Sequence, residues 1–226
     1  MTAPAGSLVV PVPLRHVNAF LIRGTRPVLV DTGLPGSAPK ILSALQREGY
    51  MPWDLGLIII THAHLDHTGS AAALSGATGA PVLVHKAEAD YLAAGASAPV
   101  VPVTLTARIL CLLIGKHAPA PDLGVQAVIR IDTPYRLDSF GINGAVLPTP
   151  GHTKGSLSVS LATGEAIAGD LVTGMFPPGR ARLPVFAEDA VEAKASIRAL
   201  LATAPATVYA GHGGPFPGSD VEALLQ

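Results

Sequence analysis

Residues 57–70 read LIIITHAHLDHTGS, in which a run of aliphatic residues leads directly into three histidines and an aspartate. A short aliphatic run bounded by polar residues is typical of a buried strand. The chain has only eight histidines, and three of them fall in this stretch. Imidazole and carboxylate groups are preferred ligands of zinc and related transition metals. The stretch therefore predicts a metal site at the carboxyl end of a strand.

The spacing within this stretch indicates two adjacent metal positions. Residues at i and i+2 of an extended segment point to the same side, so His62 and His64 can face one ion. A turn at Leu65 then directs Asp66 and His67 towards a neighbouring position. Each ion would share a water or hydroxide with the other.

Polar residues also follow other aliphatic runs of the chain. Asp31 follows VLV, His152 follows VLPTPG, Asp170 follows AIAG and His212 follows VYAG. Loops at the carboxyl ends of strands commonly carry functional residues, because the strands stay fixed while the loops vary. We predict that His62, His64 and His152 hold the first ion, that Asp66, His67 and His212 hold the second, and that Asp170 bridges them.

Other polar residues have no place in these two sets. Spacing does not assign Asp31, which is either a residue that orients a ligand or a simple turn residue. His16, His85 and His117 stand in no comparable context, so we expect them to be ordinary histidines.

Composition restricts the classes of function. With 226 residues, 49% hydrophobic and 14% charged, the chain suits one globular domain. A net charge of −1 and the absence of basic runs argue against nucleic-acid binding. The single cysteine, Cys111, excludes a disulfide within the chain and a cysteine-rich zinc cluster. The first residues lack a basic leader and no stretch reaches membrane-spanning length, so we expect a cytoplasmic protein.

Short strands alternate with helices along the chain, which predicts sheets covered by helices. Residues 156–170 predict a hairpin, and residues 38–49, 68–79 and 187–204 show helical periodicity. Residues 88–120 predict an apolar helical insertion, within which 103–116 read VTLTARILCLLIGK. Three interpretations of residues 103–116 stay open: the segment packs in the core, forms an apolar wall over the metal site, or makes a contact in a homodimer. The segments predicted as strands are FLIRG, PVLVDTG, LGLIIITH, APVLVHK, GAVLPTPGH, SLSVSL, EAIAGD and ATVYAGHG.

Four motifs in order, THAHLDHTGS, PTPGHTKGS, AGDLVTG and YAGHGGPF, resemble the metallo-β-lactamase-fold hydrolase superfamily. The likeness runs from VLVDTG almost to the carboxyl terminus. It implies one α/β domain over residues 1–226, a four-layer αββα sandwich, with a dinuclear site at the strand-end loops. It also implies two divalent ions, zinc first and iron or manganese as other candidates, held by the seven residues grouped above. Asp66 would be catalytic, orienting a metal-bridging hydroxide that attacks a small-molecule substrate.

Within the superfamily, the sequence is most similar to the glyoxalase II and lactonase-like branch. Asp170 is present, whereas true metallo-β-lactamases generally lack it. The residues after His212 are too few for the helical region that binds glutathione in glyoxalase II, which argues against a standard glutathione thioesterase. LVTGMF stands where lactonases carry a catalytic tyrosine, so a lactonase loses that support. The expected reaction is hydrolysis of a thioester, lactone or ester. The alternatives are an iron-dependent persulfide dioxygenase, using His62, His152 and Asp170, and a non-catalytic scaffold.

Overall fold

Two six-stranded β-sheets pack face to face in the computed structural model, which describes residues 6–105, 107–109, 120–125, 128–174 and 178–226. The first sheet has the order β1-β2-β3-β4-β5-β6, and the second has the order β12-β11-β10-β9-β8-β7. The strands of the first sheet are β1 Val9–Pro13, β2 Asn18–Ile22, β3 Val28–Val30, β4 Leu57–Ile59, β5 Val82–His85 and β6 Val128–Ile131. Those of the second are β7 Tyr135–Arg136, β8 Gly144–Pro148, β9 Leu157–Leu161, β10 Glu165–Ile167, β11 Thr207–Tyr209 and β12 Phe216–Pro217.

Helices cover the outer face of each sheet. Ile41 and Leu45 pack on the first sheet, while Ile197 and Leu200 pack on the second. The helices are α1 Ala38–Arg47, α2 Leu65–Thr68, α3 Ala71–Thr78, α4 Ala89–Ala93, α5 Ala190–Leu201 and α6 Gly218–Glu222. Single 3-10 turns occur at Pro52–Asp54, Pro121–Leu123, Asp138–Phe140, Gly169–Leu171 and Ala223–Leu225. Among the described residues, none of the helices has both the length and the apolar character needed to cross a membrane.

Alternation along the strands explains the layers. Val28 and Val30 face the core between the two sheets, whereas Leu29 packs against the helices on the other side. Because both faces of such a strand are buried, its sequence is a continuous hydrophobic run. This observation confirms the predicted four-layer αββα sandwich.

The loops that carry the polar residues meet at one edge of the two sheets. β3 and β4 are parallel, as are β10 and β11, so the carboxyl ends of each pair lie side by side. The Leu157 N–H donates to the Thr61 carbonyl at 2.7 Å, and the Asn18 N–H donates to the Gly211 carbonyl at 2.7 Å. Both hydrogen bonds join the first sheet to the second at this edge.

Most of the predicted elements are present. All eight predicted strand segments contain a strand, and the three helical segments contain α1, α3 and α5. The predicted hairpin is β9–β10, with Leu161 opposite Glu165. The strands that the sequence did not predict are β1, β6, β7 and β12.

The segment predicted as an insertion, residues 88–120, is described only in part. It contains α4, and an isolated bridge joins Pro102 to Phe186. The Arg108 N–H donates to the Thr104 carbonyl at 3.0 Å, which marks a helical turn. Residues 106 and 110–119, with Cys111 and His117, lie outside the described residues. The three interpretations of residues 103–116 therefore stay predictions.

Candidate metal centre

The loop after β4 presents its histidines in the way that the spacing predicted. His64 has an extended backbone, with φ −81° and ψ 146°, and directly precedes α2. His62 and His64 therefore turn to the same side, whereas Asp66 and His67 lie on the first turn of α2. A single short stretch thus supplies donors to two neighbouring positions.

Three imidazole nitrogens converge to form the first group. His62 Nε2 lies 2.9 Å from His64 Nδ1, and His152 Nε2 lies 3.2 Å from each of these atoms. Tetrahedral zinc, with Zn–N distances of about 2.0–2.1 Å, places its nitrogen ligands about 3.3 Å apart. The separations match the ligand spacing around a divalent ion of that size.

The second group combines two imidazoles with a carboxylate. His212 Nε2 lies 3.2 Å from Asp66 Oδ2, and His67 Nε2 lies 3.8 Å from the same oxygen. These three residues offer donor atoms that all lie within 4.8 Å of one another. They are the three residues that the sequence predicts as the second set of ligands.

Asp170 lies between the two groups. Its Oδ2 is 3.3 Å from His212 Nε2 and 3.9 Å from His152 Nε2, while its Oδ1 is 3.6 Å from His67 Nε2. Among the described residues, His67 Nε2 and Asp170 Oδ1 are buried atoms with no hydrogen-bond partner. Buried polar atoms are normally paired, so this arrangement fits a divalent cation between them. The structure brings all seven predicted residues together.

Backbone carbonyls hold the outward-facing nitrogens of three of these histidines. His64 Nε2 lies 3.3 Å from the Pro99 carbonyl, and His152 Nδ1 lies 2.7 Å from the Phe186 carbonyl. His212 Nδ1 lies 2.6 Å from the carbonyl of His16. Such contacts fix the orientation of a ring and leave its other nitrogen free to bind a metal.

Asp31 holds the remaining two histidines, one directly and one through Thr61. Its Oδ2 accepts hydrogen bonds at 2.8 Å from His67 Nδ1 and from Thr61 Oγ1, and its Oδ1 accepts from the Thr61 N–H at 2.8 Å. Thr61 Oγ1 is in turn 3.1 Å from His62 Nδ1. Asp31 is fully buried and has φ +60°, a conformation that aspartate tolerates better than most residues. Of the two interpretations, the structure supports the orienting role.

Electrostatics divide the histidines into two kinds. Burial, together with the charge on His67, places the pKa of His62 well below its usual value, and burial lowers that of His152 to about 4. Burial would also lower the pKa of His67, but the carboxylates of Asp31, Asp170 and Asp66 raise it to about 9. Burial therefore disfavours protonation of the first group, whereas the nearby carboxylates favour positive charge at His67.

The two carboxylates of the site are ionised. Burial acts to raise the pKa of Asp66, but His67 and the hydrogen bond from His212 hold it below its usual value. Burial acts in the same way on Asp170, whose pKa is nevertheless held well below its usual value by His212 and His67. Ionised carboxylates close to imidazole nitrogens form a donor set suited to divalent cations.

A glycine is required directly before His212. A Cβ at Gly211 would lie 2.8 Å from His67 Cε1 and would collide with Asp170 Oδ1. The absence of a side chain therefore lets the His212 loop approach the other donors.

Three polar residues around the site were not singled out by the sequence. Thr61 contacts both Asp31 and His62, as described above. The Asn18 amide donates to the carbonyls of Ala210 and Gly213, on either side of His212. Glu88 contacts two of the ligand-bearing loops. Only Thr61 had a local signal, its place directly before His62.

Curated proteins of similar sequence include named metal-dependent or thioester-cleaving hydrolases. A probable metallo-hydrolase of Methanocaldococcus jannaschii is 28% identical over 204 residues, covering 87% of both chains. A hydroxyacylglutathione hydrolase of Albidiferax ferrireducens is 30% identical over 146 residues, covering 64% of this chain and 42% of the relative.

A solved structure shows the same fold. It is an archaeal metallo-β-lactamase superfamily protein from Sulfolobus tokodaii, with a TM-score of 0.70 and 21% identity, covering 97% of this chain and 85% of that one. The sequence model of the metallo-β-lactamase superfamily matches residues 12–212, which include all seven residues of the site. The chain therefore belongs to the metallo-β-lactamase superfamily.

Proposed function

We propose that this protein is a hydrolase that uses two divalent metal ions, with zinc as the expected metal, to cleave an acyl bond of a small molecule. One observation carries the proposal: seven imidazole and carboxylate side chains converge at one sheet edge, in groups able to hold metal ions. The proposed substrate is a thioester, a lactone or an ester, in keeping with the glyoxalase II and lactonase-like branch. Likeness to a hydroxyacylglutathione hydrolase supports a thioester, because the substrate in that name is one.

The residues of the site divide the chemical work. The two groups of donors would hold two divalent ions, which would lower the pKa of a bound water to about 7 and would polarise a substrate carbonyl. Asp66 has the most accessible side chain among the site's acidic groups, 34% exposed against 13% for Asp170. Since Asp66 is ionised, it can orient the attacking water, accept its proton and return that proton to the leaving group.

An apolar surface lies next to the first histidine group. Residues 98–105 and 185–187, here named the apolar ribbon, are joined by hydrogen bonds between Val103 N–H and Val185 carbonyl and between Ala187 N–H and Val101 carbonyl. The ribbon also supplies the carbonyls that contact His64 and His152. Of the ten exposed large hydrophobic residues in the described part of the chain, five lie in this ribbon: Val100, Val101, Val103, Leu105 and Val185.

A cavity of about 360 Å³ lies between the ribbon and the loop that carries His152. Pro99 and Val101 of the ribbon line one side of it, and polar residues and a glycine line the rest: Gly151, Lys154, Glu188, Asp189 and Glu192. Exposed apolar surface beside a cavity commonly marks a ligand site. We assign the ribbon side of this cavity, formed by Pro99 and Val101, to the acyl portion of the substrate.

Metal content is the direct test of the proposed function. Protein purified without chelator should contain about two divalent ions per chain by elemental analysis. Removal of the ions with a strong chelator should abolish hydrolysis of acyl thioesters, lactones or esters, and added Zn²⁺ should restore it. The thermal midpoint should also fall on metal removal, because the ions bind the folded state.

Two other results would contradict the proposed function. A single iron ion per chain, with oxygen consumed in the presence of glutathione persulfide, would replace the hydrolase with the dioxygenase. Unchanged stability and no hydrolysis in the presence or absence of Zn²⁺ would support a non-catalytic scaffold.

Val101→Ser is expected to weaken the preference for long acyl chains. Val101 lines the cavity, and loss of its apolar contact should cost about 1 kcal/mol, or roughly fivefold in kcat/KM, for a long chain. Short-chain substrates should change little. Val191→Ser makes the same substitution at an 80% exposed position on α5 and should leave the long-to-short ratio as in the wild type. An unchanged ratio in Val101→Ser would remove the ribbon from the substrate site.

A further inference from the structure

Glu88 is a buried carboxylate that contacts two loops of the metal centre. It lies just after β5 and directly before α4, and is only 2% exposed. Its Oε2 accepts a hydrogen bond from the Ala63 N–H at 2.8 Å, and its Oε1 accepts from the Gly155 N–H at 3.1 Å. Ala63 stands between His62 and His64, and Gly155 lies three residues after His152. One side chain therefore joins the two loops that supply the first group.

The Ala63 peptide is held on both sides. Its N–H donates to Glu88, and its carbonyl accepts from the Ala98 N–H at 2.7 Å. The residue that separates His62 from His64 thus has little freedom to rotate. Rotation of either adjoining peptide would change the angle between the two imidazoles.

Gly155 makes room for the Glu88 side chain. A Cβ at position 155 would lie 2.9 Å from Glu88 Oε1 and would collide with its Cγ. The absence of a side chain there allows the carboxylate to reach both N–H groups. The packing on the two sides of this contact is therefore specific for a glutamate and a glycine.

We propose that Glu88 is a positioning residue that fixes His62 and His64 relative to His152, and so sets the affinity of the first group for its metal ion. The proposal rests on the proposed function, because it requires a metal at that group. A carboxylate is suited to this role, since it offers two acceptor oxygens and makes charge-assisted hydrogen bonds. Partners that orient metal ligands typically alter metal affinity by 10–100-fold when they are replaced.

Glu88→Gln tests the role with little change in volume. Glutamine keeps one acceptor oxygen, but its amide group presents a donor to the second N–H. Gly155→Ala disturbs the same contact from the other side without changing any charge. Glu165→Gln is the matched control, because Glu165 is also a buried acid and contacts Ser7, Leu8 and Tyr209 instead of the metal loops.

The readouts are Zn²⁺ affinity, by competition with a chromogenic chelator, and the visible absorption spectrum of the Co²⁺-loaded protein. In Glu88→Gln and Gly155→Ala, we expect the affinity of one of the two sites to fall ~10–100-fold, with a changed Co²⁺ spectrum. The Glu165→Gln variant should be less stable than the wild type but should keep its Zn²⁺ affinity and its Co²⁺ spectrum. If Glu88→Gln does not fold, Gly155→Ala decides the question alone.

Two outcomes would overturn the proposal in distinguishable ways. Wild-type protein that binds Zn²⁺, with both variants within twofold of its affinity, would remove the positioning role alone. Wild-type protein that binds no Zn²⁺ would remove the proposed function and this role together.

Discussion

Asp66→Asn is expected to lower turnover by a factor of ~10² or more, the scale of a positioned acid–base group. Asparagine keeps the size of the side chain but can neither carry the charge nor accept a proton. Its amide oxygen is a weaker ligand than the carboxylate, so the variant is assayed with excess Zn²⁺, under which both ions should stay bound. Elemental analysis of the variant should show this, and steady-state kinetics should place the loss mainly in kcat.

His85→Ala is the control for this experiment. His85 ends β5 and accepts a hydrogen bond from the Ala87 N–H at 3.1 Å, outside the metal groups. Its removal should leave turnover within a few-fold of the wild type. Equal losses in the two variants, with both folded, would show that Asp66 has been assigned the wrong role.

Sequence predicted the interior strands and failed at the sheet edges. The four strands that it did not predict, β1, β6, β7 and β12, are the outermost strands of the two sheets. β1 contains Pro11 and Pro13, and β12 ends at Pro217. Proline is tolerated at edges because it cannot donate to a ladder of hydrogen bonds, and edge strands are often short and polar. Interior strands are buried on both faces, so their hydrophobic runs identified them.

The predicted ligand residues were recognisable because their spacing is local and their side chains are chemically distinctive. The groups that orient these side chains were not recognisable from the sequence. Three of the five histidines are oriented by the backbone carbonyls of His16, Pro99 and Phe186. Every residue has a backbone carbonyl, so the sequence does not identify which ones accept these hydrogen bonds. Glu88 reaches the site from a position 25 residues after Ala63, in a segment that otherwise reads as an ordinary helix start.

Asp31 was left open at the level of sequence for the same reason. Its only visible feature was a place at the end of an aliphatic run, which suits a turn as well as a site. The structure adds the decisive information, since the carboxylate accepts hydrogen bonds from Thr61 and from His67. A role carried by contacts between distant segments becomes visible only once the chain is folded.

Asp31→Asn is expected to weaken metal binding at the second group by ~10–100-fold and to destabilise the fold by about 1–3 kcal/mol. Asparagine has one acceptor oxygen in place of two, so its amide group must face a buried donor of Thr61 or His67. Chelator competition and urea unfolding would measure the two effects. Glu165→Gln, which also removes a buried carboxylate, should lose stability on a similar scale and keep its metal affinity. Wild-type metal affinity in a destabilised Asp31→Asn protein would mean that Asp31 shapes the turn after β3 and does not orient His67.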